Sequence, residues 1–261
     1  MHLGICADPA TLATVPTPLT FEFIEGHVQN FLRPEAPEVD FTPNLHALRQ
    51  AARPMPAANC FLPADLKVTG PAVDAARLDR YATTAFRRAQ ESGMSIIVFG
   101  SAGARMVPEG FSPARAFEQF VEVLRRFAPL AAARGVTLAV EPLQRKECNL
   151  INTIIEGTEV VERVAHPHVR LLVDIFHMAR NDESPDDIVK VARHIHHVHI
   201  AENRDRAAPG VYREDFRAFF RALKKSGYND LLTIEAVWQD LPKQTAPAIA
   251  ELRKQLSEAG Y

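Results

Sequence analysis

Four acidic or imidazole side chains in the second half of the chain each stand at the end of a short apolar run. The runs are TLAVEPL, VRLLVDIFH, IHHVHIAE and DLLTIEA, and the four residues, here called the strand-end quartet, are Glu141, Asp174, His199 and Glu235. A strand buried on both faces of a parallel sheet reads as a nearly continuous apolar run, so a charge at its exit has left the core but not the protein. Because burying a charge without a partner is costly, the quartet indicates a shared divalent cation.

The ligand types in the quartet narrow the choice of cation and of chemistry. Three carboxylates and one imidazole without a thiolate suit Mn²⁺, Mg²⁺ or Co²⁺ better than structural zinc, which favours Cys and His. The carboxylates outweigh the charge of a divalent ion, so the site disfavours anionic ligands and suits a neutral polyhydroxy compound. A cation there can polarise a carbonyl, acidify the neighbouring C–H and stabilise the enediolate that forms when a base removes the proton.

Short strand-like runs alternate along the chain with longer segments of helical periodicity. Strands are predicted at 2–7, 21–28, 57–62, 95–101, 137–143, 169–176, 195–202 and 230–236. Helices are predicted at 43–53, 73–92, 114–134, 155–166, 184–193, 213–226 and 242–258. The interval between Leu3 and Phe21 is too short and too rich in proline for a full first helix. This order over 261 residues predicts an α/β fold, a single-domain (β/α)₈ TIM barrel over residues 1–261.

An open doubly wound sheet is the competing architecture. No GxGxxG motif and no Walker lysine loop follows any predicted strand. The sequence therefore gives no sign of the nucleotide binding for which that fold is commonly used. In a barrel, catalytic groups come from the carboxyl ends of the strands, and the quartet lies at the ends of predicted strands five to eight. The barrel is therefore favoured, because it brings these distant positions together.

Composition argues against several classes of partner. The formal net charge is −2, and no cluster of Lys and Arg interleaved with aromatic residues indicates a nucleic acid. The cysteines Cys6, Cys60 and Cys148 form no CxxC pair, which fits a reducing compartment. No signal peptide and no apolar run of membrane-spanning length is present, so a cytoplasmic protein without a membrane partner is expected. The sequence does not decide between a monomer and a homo-oligomer.

Around the quartet the chain resembles a known family. The matching segments are EPLQRKECNLINT (141–153), VDIFHM (173–178), HVHIAENR (197–204) and TIEAVW (233–238). They resemble the metal-dependent sugar isomerases and epimerases with a xylose-isomerase-like barrel, a superfamily that includes ketose 3-epimerases, hydroxypyruvate isomerases and inosose-processing enzymes. The more remote endonuclease IV uses several metal ions held by additional histidines and a positive DNA-binding surface, for which this chain has no equivalent signal.

The resemblance implies a role for each matching residue. The quartet would bind one divalent metal ion, with Glu141 and Glu235 also acting as the acid/base pair on opposite faces of the substrate. His177 and Glu147 match positions that contact substrate oxygens in ketose epimerases. An arginine after the seventh strand binds a substrate hydroxyl in the family, and Arg204 and Arg206 both compete for that role because the loop ENRDRAAPG is one residue longer than the family pattern. Counting back from the Pro-Gly of that loop favours Arg206.

Three hypotheses for the function follow. The first is a sugar isomerase or epimerase of carbohydrate metabolism, which moves a proton next to the carbonyl of a ketose, keto-acid or polyol-type substrate. The second is a dehydratase or lyase of the same barrel family, acting on an inosose, 3-dehydroshikimate or a 3-keto glycoside, because an enediolate with a leaving group on the β carbon eliminates. The third, from another class, is a non-catalytic sugar-binding protein. The sequence leaves the substrate, the metal and the fate of the enediolate open.

The sequence also gives predictions for Glu25, His197 and Cys60. Glu25 ends the second predicted strand, where a place in the site and a role as a solvated or capping residue are equally consistent with the sequence. Alternation along the seventh strand predicts that His197 lies one layer below His199 as a buried, hydrogen-bonded structural residue. Cys60 follows the third strand and is expected to line the pocket as an inert thiol.

Overall fold

The eight strands close into one parallel barrel in sequence order, with the first strand paired to the last. The computed structural model describes all residues from Met1 to Tyr261. The strands are β1 (His2–Cys6), β2 (Phe23–His27), β3 (Ala57–Asn59), β4 (Ile96–Phe99), β5 (Thr137–Val140), β6 (Val169–Asp174), β7 (Ile195–Ile200) and β8 (Leu231–Ile234). The predicted single-domain (β/α)₈ barrel is thereby confirmed.

Helices surround the barrel, and side chains that bond the first free N–H groups define where several of them begin. They are α1 (Pro9–Leu12), α2 (Glu38–Gln50), α3 (Ala75–Glu91), α4 (Ala102–Arg105), α5 (Pro113–Ala132), α6 (Ile154–Val164), α7 (Ile175–Arg180), α8 (Asp186–Lys190), α9 (Arg217–Lys225) and α10 (Leu241–Glu258). Ser112 caps α5, and Thr153 with Glu156 forms a capping box at α6. None of these helices combines the length and the apolar character needed to cross a membrane.

Some element boundaries differ from the sequence prediction for local reasons. Helix α2 begins at Glu38, ahead of the predicted start at 43, because acidic residues follow the Pro37 cap and the helix tolerates Pro43 in its interior. Strand β3 stops at Asn59 because Cys60 has a φ of 52°, which a strand cannot accommodate. The segment predicted as one helix at 184–193 is divided into α8 and a short 3₁₀ turn.

Alternation along the strands divides the apolar residues between two cores. Residues facing the helices, such as Ile97 and Val140, belong to the main hydrophobic core. A second, small apolar cluster is formed by Ala57, Ile96, Val98, Ala139 and Leu172, which alternate with that set and fill the barrel interior. Two residues further along the same interior face come Asn59, Glu141 and Asp174. The candidate functional site is therefore the top layer of the barrel interior.

Glu183, in the connection between α7 and α8, is expected to make stability depend on pH. Its carboxylate accepts the Ile154 N–H at 2.8 Å, and burial raises the pKa of its carboxyl to about 7. Folding thus favours the protonated form, so this contribution is complete below the unfolded pKa of 4.5 and is lost as the pH rises to about 7.

Replacing Glu183 with Gln should therefore raise the free energy of unfolding at pH 8 by about 1 to 2 kcal/mol, after allowance for partial exposure, and change it little at pH 4.5. Urea denaturation at the two pH values measures this difference. Glu159→Gln, on the exposed face of α6, is the matched control. An equal effect of Glu183→Gln at both pH values would contradict the account.

Candidate functional site

The barrel brings the four residues of the strand-end quartet together at the carboxyl ends of β5 to β8. Each offers one ligand atom, and these atoms all lie within 4.8 Å of one another. His199 Nδ1 is 3.3 Å from Glu235 Oε2 and 3.5 Å from Glu141 Oε1. All but Glu235 are buried. Glu141 and Glu235 are 94 positions apart in the sequence. They meet because the carboxyl ends of the parallel strands all lie at the same mouth of the barrel.

Several atoms at this point are buried without any hydrogen-bond partner. They include Glu141 Oε1, Asp174 Oδ2 and His199 Nδ1. Each of these atoms can accept a hydrogen bond, but they face one another and none of them finds a donor. The other Asp174 oxygen is occupied, because Oδ1 accepts the Phe176 N–H at 2.7 Å and caps α7. A buried acceptor left unpaired costs about 1 to 3 kcal/mol. Three such atoms converging on one space fit a divalent cation, which would satisfy them together.

Glu25 orients His199 from behind. One carboxylate oxygen of Glu25 lies 2.9 Å from His199 Nε2 and the other lies 2.8 Å from His197 Nε2. Burial would raise the pKa of the Glu25 carboxyl, but the two imidazoles hold it well below its usual range. Because Nε2 of His199 donates to this carboxylate, Nδ1 carries the lone pair and directs it toward the other three quartet residues.

The burial of Glu25 decides between the two alternatives that the sequence left open. Its side chain is completely buried, so it is neither solvated nor a surface cap. Its position at the end of an apolar run is the same signal that singled out the quartet. His197 is buried and hydrogen-bonded one layer below His199, as the strand alternation predicts.

His177, on α7, directs one ring nitrogen into the site. Its Nδ1 accepts the Gln144 N–H at 3.2 Å, so in the neutral ring the proton is assigned to Nε2. That nitrogen lies 3.5 Å from Asp174 Oδ2 and 3.9 Å from both Glu141 Oε1 and Glu147 Oε2. It is buried without a hydrogen-bond partner. His177 can therefore donate a hydrogen bond to an oxygen of a bound molecule.

Of the two arginines after β7, only Arg206 lies at the site. Its guanidinium pairs with the Glu235 carboxylate and is 3.6 Å from Asp174 Oδ2. Arg204 is exposed instead, and its guanidinium stacks 4.2 Å from the centre of the Tyr212 ring. The two side chains are separated because the loop turns sharply between them, with a φ of 50° at Arg206.

Glu202 holds the loop that carries Arg206. It is fully buried just after β7 and accepts the N–H groups of Gly210 at 2.7 Å and Tyr212 at 2.6 Å. The Arg206 carbonyl accepts the Val237 N–H at 2.7 Å, which ties the same loop to the segment after β8. Glu202 is not among the residues predicted from the sequence, although it also follows an apolar run.

Two residues of the segment FGSAGARM (99–106), which contains α4, support Glu141. A Cβ atom at Gly100 would overlap the Glu141 Oε2 atom, so the absence of a side chain there makes room for the carboxylate. Arg105 is fully buried and donates to the Glu141 carbonyl at 2.9 Å and to the Phe99 carbonyl at 3.3 Å. Gly100 therefore accommodates a protein side chain, and Arg105 holds the backbone that enters the site.

The two glutamates of the quartet differ in proton affinity. Burial raises the pKa of the Glu141 carboxyl. Burial also acts on Glu235, but Arg206 and His199 outweigh it and hold the pKa of that carboxyl at about 2. Asn59 further stabilises the Glu235 carboxylate by donating to Oε1 at 2.8 Å. Paired carboxylates whose environments push their pKa values apart are suited to opposite roles in proton transfer.

Cys60 borders the site but is unsuited to nucleophilic chemistry. Burial, together with the carboxylates of Glu235 and Glu141, raises the pKa of its thiol to about 12. The thiolate is the reactive form of cysteine. Cys60 is thus an inert part of the cavity wall.

Known proteins are similar to this chain in sequence and in fold. The D-psicose 3-epimerase of Ruminiclostridium cellulolyticum is 35% identical over 120 residues, which are 46% of this chain and 41% of that protein. The inosose isomerase of Bacillus velezensis is 30% identical over 149 residues, 53% of each chain. The matched stretch thus spans about half or less of these relatives.

A solved structure and a family model extend the comparison to nearly the whole chain. The crystal structure of the D-psicose 3-epimerase of Clostridium cellulolyticum with D-tagatose superimposes with a TM-score of 0.82, covering 98% of this chain and 99% of that one at 22% identity, which shows the fold alone. The model of the xylose isomerase-like TIM barrel matches residues 42–256. That match covers most of the sequence, so the chain belongs to the xylose isomerase-like TIM barrel family.

Proposed function

We propose that this protein is a divalent-metal-dependent sugar isomerase or epimerase that works through an enediolate. The observation that carries the proposal is the convergence of three buried acceptor atoms that have no hydrogen-bond partner. At the same place, the carboxyl pKa is raised in Glu141 and lowered in Glu235. The relatives with epimerase and isomerase activity on sugars and inososes support the same class. In the proposal, the strand-end quartet holds the cation, which supplies polarisation of the substrate carbonyl and stabilisation of negative charge on its oxygen.

The chain's own residues handle the proton and the sugar oxygens. One glutamate of the pair Glu141 and Glu235 removes the proton from the carbon next to the carbonyl, and the electron pair left behind forms the enediolate. In an epimerisation, the other glutamate returns a proton to the opposite face of the same carbon. In an isomerisation, the proton goes to the former carbonyl carbon, and the proton of the neighbouring hydroxyl passes to the former carbonyl oxygen. His177, Glu147 and Arg206 bind the substrate hydroxyls and fix the carbon that faces the acid/base pair.

Incubation with sugars in D₂O tests the reaction. Metal-loaded protein is mixed with a panel of ketoses, inososes and 3-keto glycosides, and the products are analysed by NMR and mass spectrometry. Deuterium in an isomeric product is the expected result. Net loss of water or of an aglycone would instead identify a dehydratase or lyase. Absence of exchange in every compound, together with failure to take up any divalent metal, would favour a non-catalytic binding protein.

Metal affinity is expected to depend on Glu25, although it lies outside the quartet and its two oxygens bond to His197 and His199. Glu25→Gln replaces one carboxylate oxygen by an amide donor, so only one of the two histidines keeps its acceptor, and the orientation of His199 is weakened. The affinity for Mn²⁺ should fall about 10- to 100-fold. Competition with a fluorescent chelator measures it, with Mg²⁺ and Co²⁺ tested alongside. Glu159→Gln, on the exposed face of α6, is the control, and unchanged affinity in Glu25→Gln would contradict this role.

A further inference from the structure

Two cavities meet at the barrel mouth. The first, about 340 Å³, is lined by Glu141, His177 and Arg206 and is here called the catalytic cavity. The second, about 540 Å³, lies at the carboxyl ends of β1 to β3 under α1, α2 and the start of α10 and is here called the side chamber. Cys60 and Glu235 line both. Small-molecule sites occupy roughly 300 to 1,000 Å³, so the catalytic cavity alone is at the lower limit.

The side chamber offers no partner for an anionic group. No lysine or arginine lines it, whereas three carboxylates do. Each carboxylate is already engaged: Asp8 accepts the Thr11 N–H at 2.7 Å, Glu25 binds two histidines, and Glu235 pairs with Arg206. A phosphate or carboxylate placed there would face these carboxylates, and no lysine or arginine lines the chamber to pair with it.

Uncharged polar atoms of the side chamber are available to a ligand. Asn59 and Asn44 use their amide N–H groups within the protein, toward Glu235 at 2.8 Å and the Phe31 carbonyl at 2.9 Å, and their Oδ1 atoms have no protein donor. His27 uses Nδ1 to accept the Asn30 N–H at 3.3 Å and keeps Nε2 free. Such spaced acceptors and a single imidazole nitrogen suit hydroxyl groups.

The remaining wall of the side chamber is apolar. Phe31 and Leu241 contribute larger surfaces, while Ala10 and Ala47 leave room between α1 and α2. Sugar rings combine hydroxyl edges with C–H faces, and an aromatic aglycone is apolar on both faces. The neutral acceptors of the wall therefore match the hydroxyl edge of an uncharged ring, and its apolar patches match the face of that ring.

We infer that the side chamber binds an uncharged second ring carried by the reacting sugar, so that the substrate is a neutral keto glycoside and neither a free ketose nor a sugar phosphate. This inference rests on the proposed function for the catalytic cavity. A glycosidic bond locks the anomeric carbon as an acetal, so the carbonyl must lie on another ring carbon. That carbon and its neighbouring C–H would occupy the catalytic cavity, while the substituent passes Cys60 and Glu235 into the side chamber.

Equilibrium binding tests the side chamber without any turnover. Isothermal titration compares phenyl β-D-glucoside, glucose and glucose 6-phosphate on the metal-loaded protein. The glucoside should bind at least tenfold more tightly than either of the others. Ala47→Phe, on the exposed side of α2, should remove that preference, and Ala133→Phe, exposed at the end of α5 and far from the mouth, should retain it. Equal binding of glucose and glucoside, tighter binding of the phosphate, or a preference that survives Ala47→Phe would overturn the inference.

Deuterium exchange separates this inference from the proposed function. In D₂O, phenyl 3-keto-β-D-glucoside should exchange with a kcat/KM at least tenfold above that of free 3-ketoglucose, and Ala47→Phe should lower this ratio. Exchange in free ketoses without any preference for the glycoside would overturn the side-chamber inference and leave the proposed function intact. Selective glycoside binding without exchange in any substrate would support the side chamber and refute the proposed function.

Discussion

Replacing Glu235 with Gln should lower kcat by about 10³-fold or more, because the variant loses a carboxylate that handles the proton in the proposed mechanism. The fold should persist, since Gln keeps the size of the side chain and the acceptor for Asn59. The free energy of unfolding should fall by about 1 to 3 kcal/mol, because Arg206 loses the carboxylate with which it pairs. Turnover with saturating Mn²⁺ and urea denaturation measure the two effects. Glu159→Gln on α6 is the surface control.

Metal content distinguishes the two roles proposed for Glu235. If the residue served only as a ligand, excess Mn²⁺ would restore turnover to Glu235→Gln as the metal content recovered. Persistent loss at full metal occupancy is expected instead, because an amide cannot take up the proton. Wild-type turnover in the metal-loaded variant would rule out a role for Glu235 in proton transfer.

Replacing Gly100 with Ala should reduce kcat/KM by about 100-fold although the residue carries no functional group. The new Cβ would overlap Glu141 Oε2, and the carboxylate must move away. The backbone at Gly100 is compatible with alanine, and the displaced atom is the end of a flexible side chain, so little stability should be lost. A misplacement of about 1 Å can cost 10²-fold in rate. Kinetics and Mn²⁺ affinity, measured on the same preparations, test the prediction.

A double-mutant cycle isolates the contact between Gly100 and Glu141. In the Glu141→Ala background there is no carboxylate to displace, so Gly100→Ala should cause no further loss of Mn²⁺ affinity. Losses that add fully in the double variant would show that Gly100→Ala acts through the backbone or through another residue.

The fold could be predicted from sequence to a large extent because its signals are local. Each strand is a short apolar run between turn-forming residues, and each long helix shows apolar residues at helical spacing. The predictions failed where one residue outweighed the pattern. The left-handed backbone at Cys60 ends β3 early, and the acidic residues after Pro37 start α2 before its apolar face begins.

The supporting residues of the site could be predicted less well. Glu25 and Glu202 both follow apolar runs, so the sequence does not distinguish their roles. Their hydrogen-bond partners in the structure show that Glu25 orients His199 and that Glu202 holds a loop. Gly100 carries no chemical signal at all, since its role depends on a carboxylate that arrives from a neighbouring strand. Contacts across strands are set by barrel closure, which no local pattern encodes.

The sequence by itself determined the barrel class and the four residues of the strand-end quartet, because alternation and strand ends are properties of local segments. Only the tertiary structure decided which arginine reaches the site, since Arg204 and Arg206 differ by the turn that Glu202 and Val237 hold in place. It alone also formed the side chamber, because the segments that line it come from opposite ends of the chain and meet only when β8 pairs with β1.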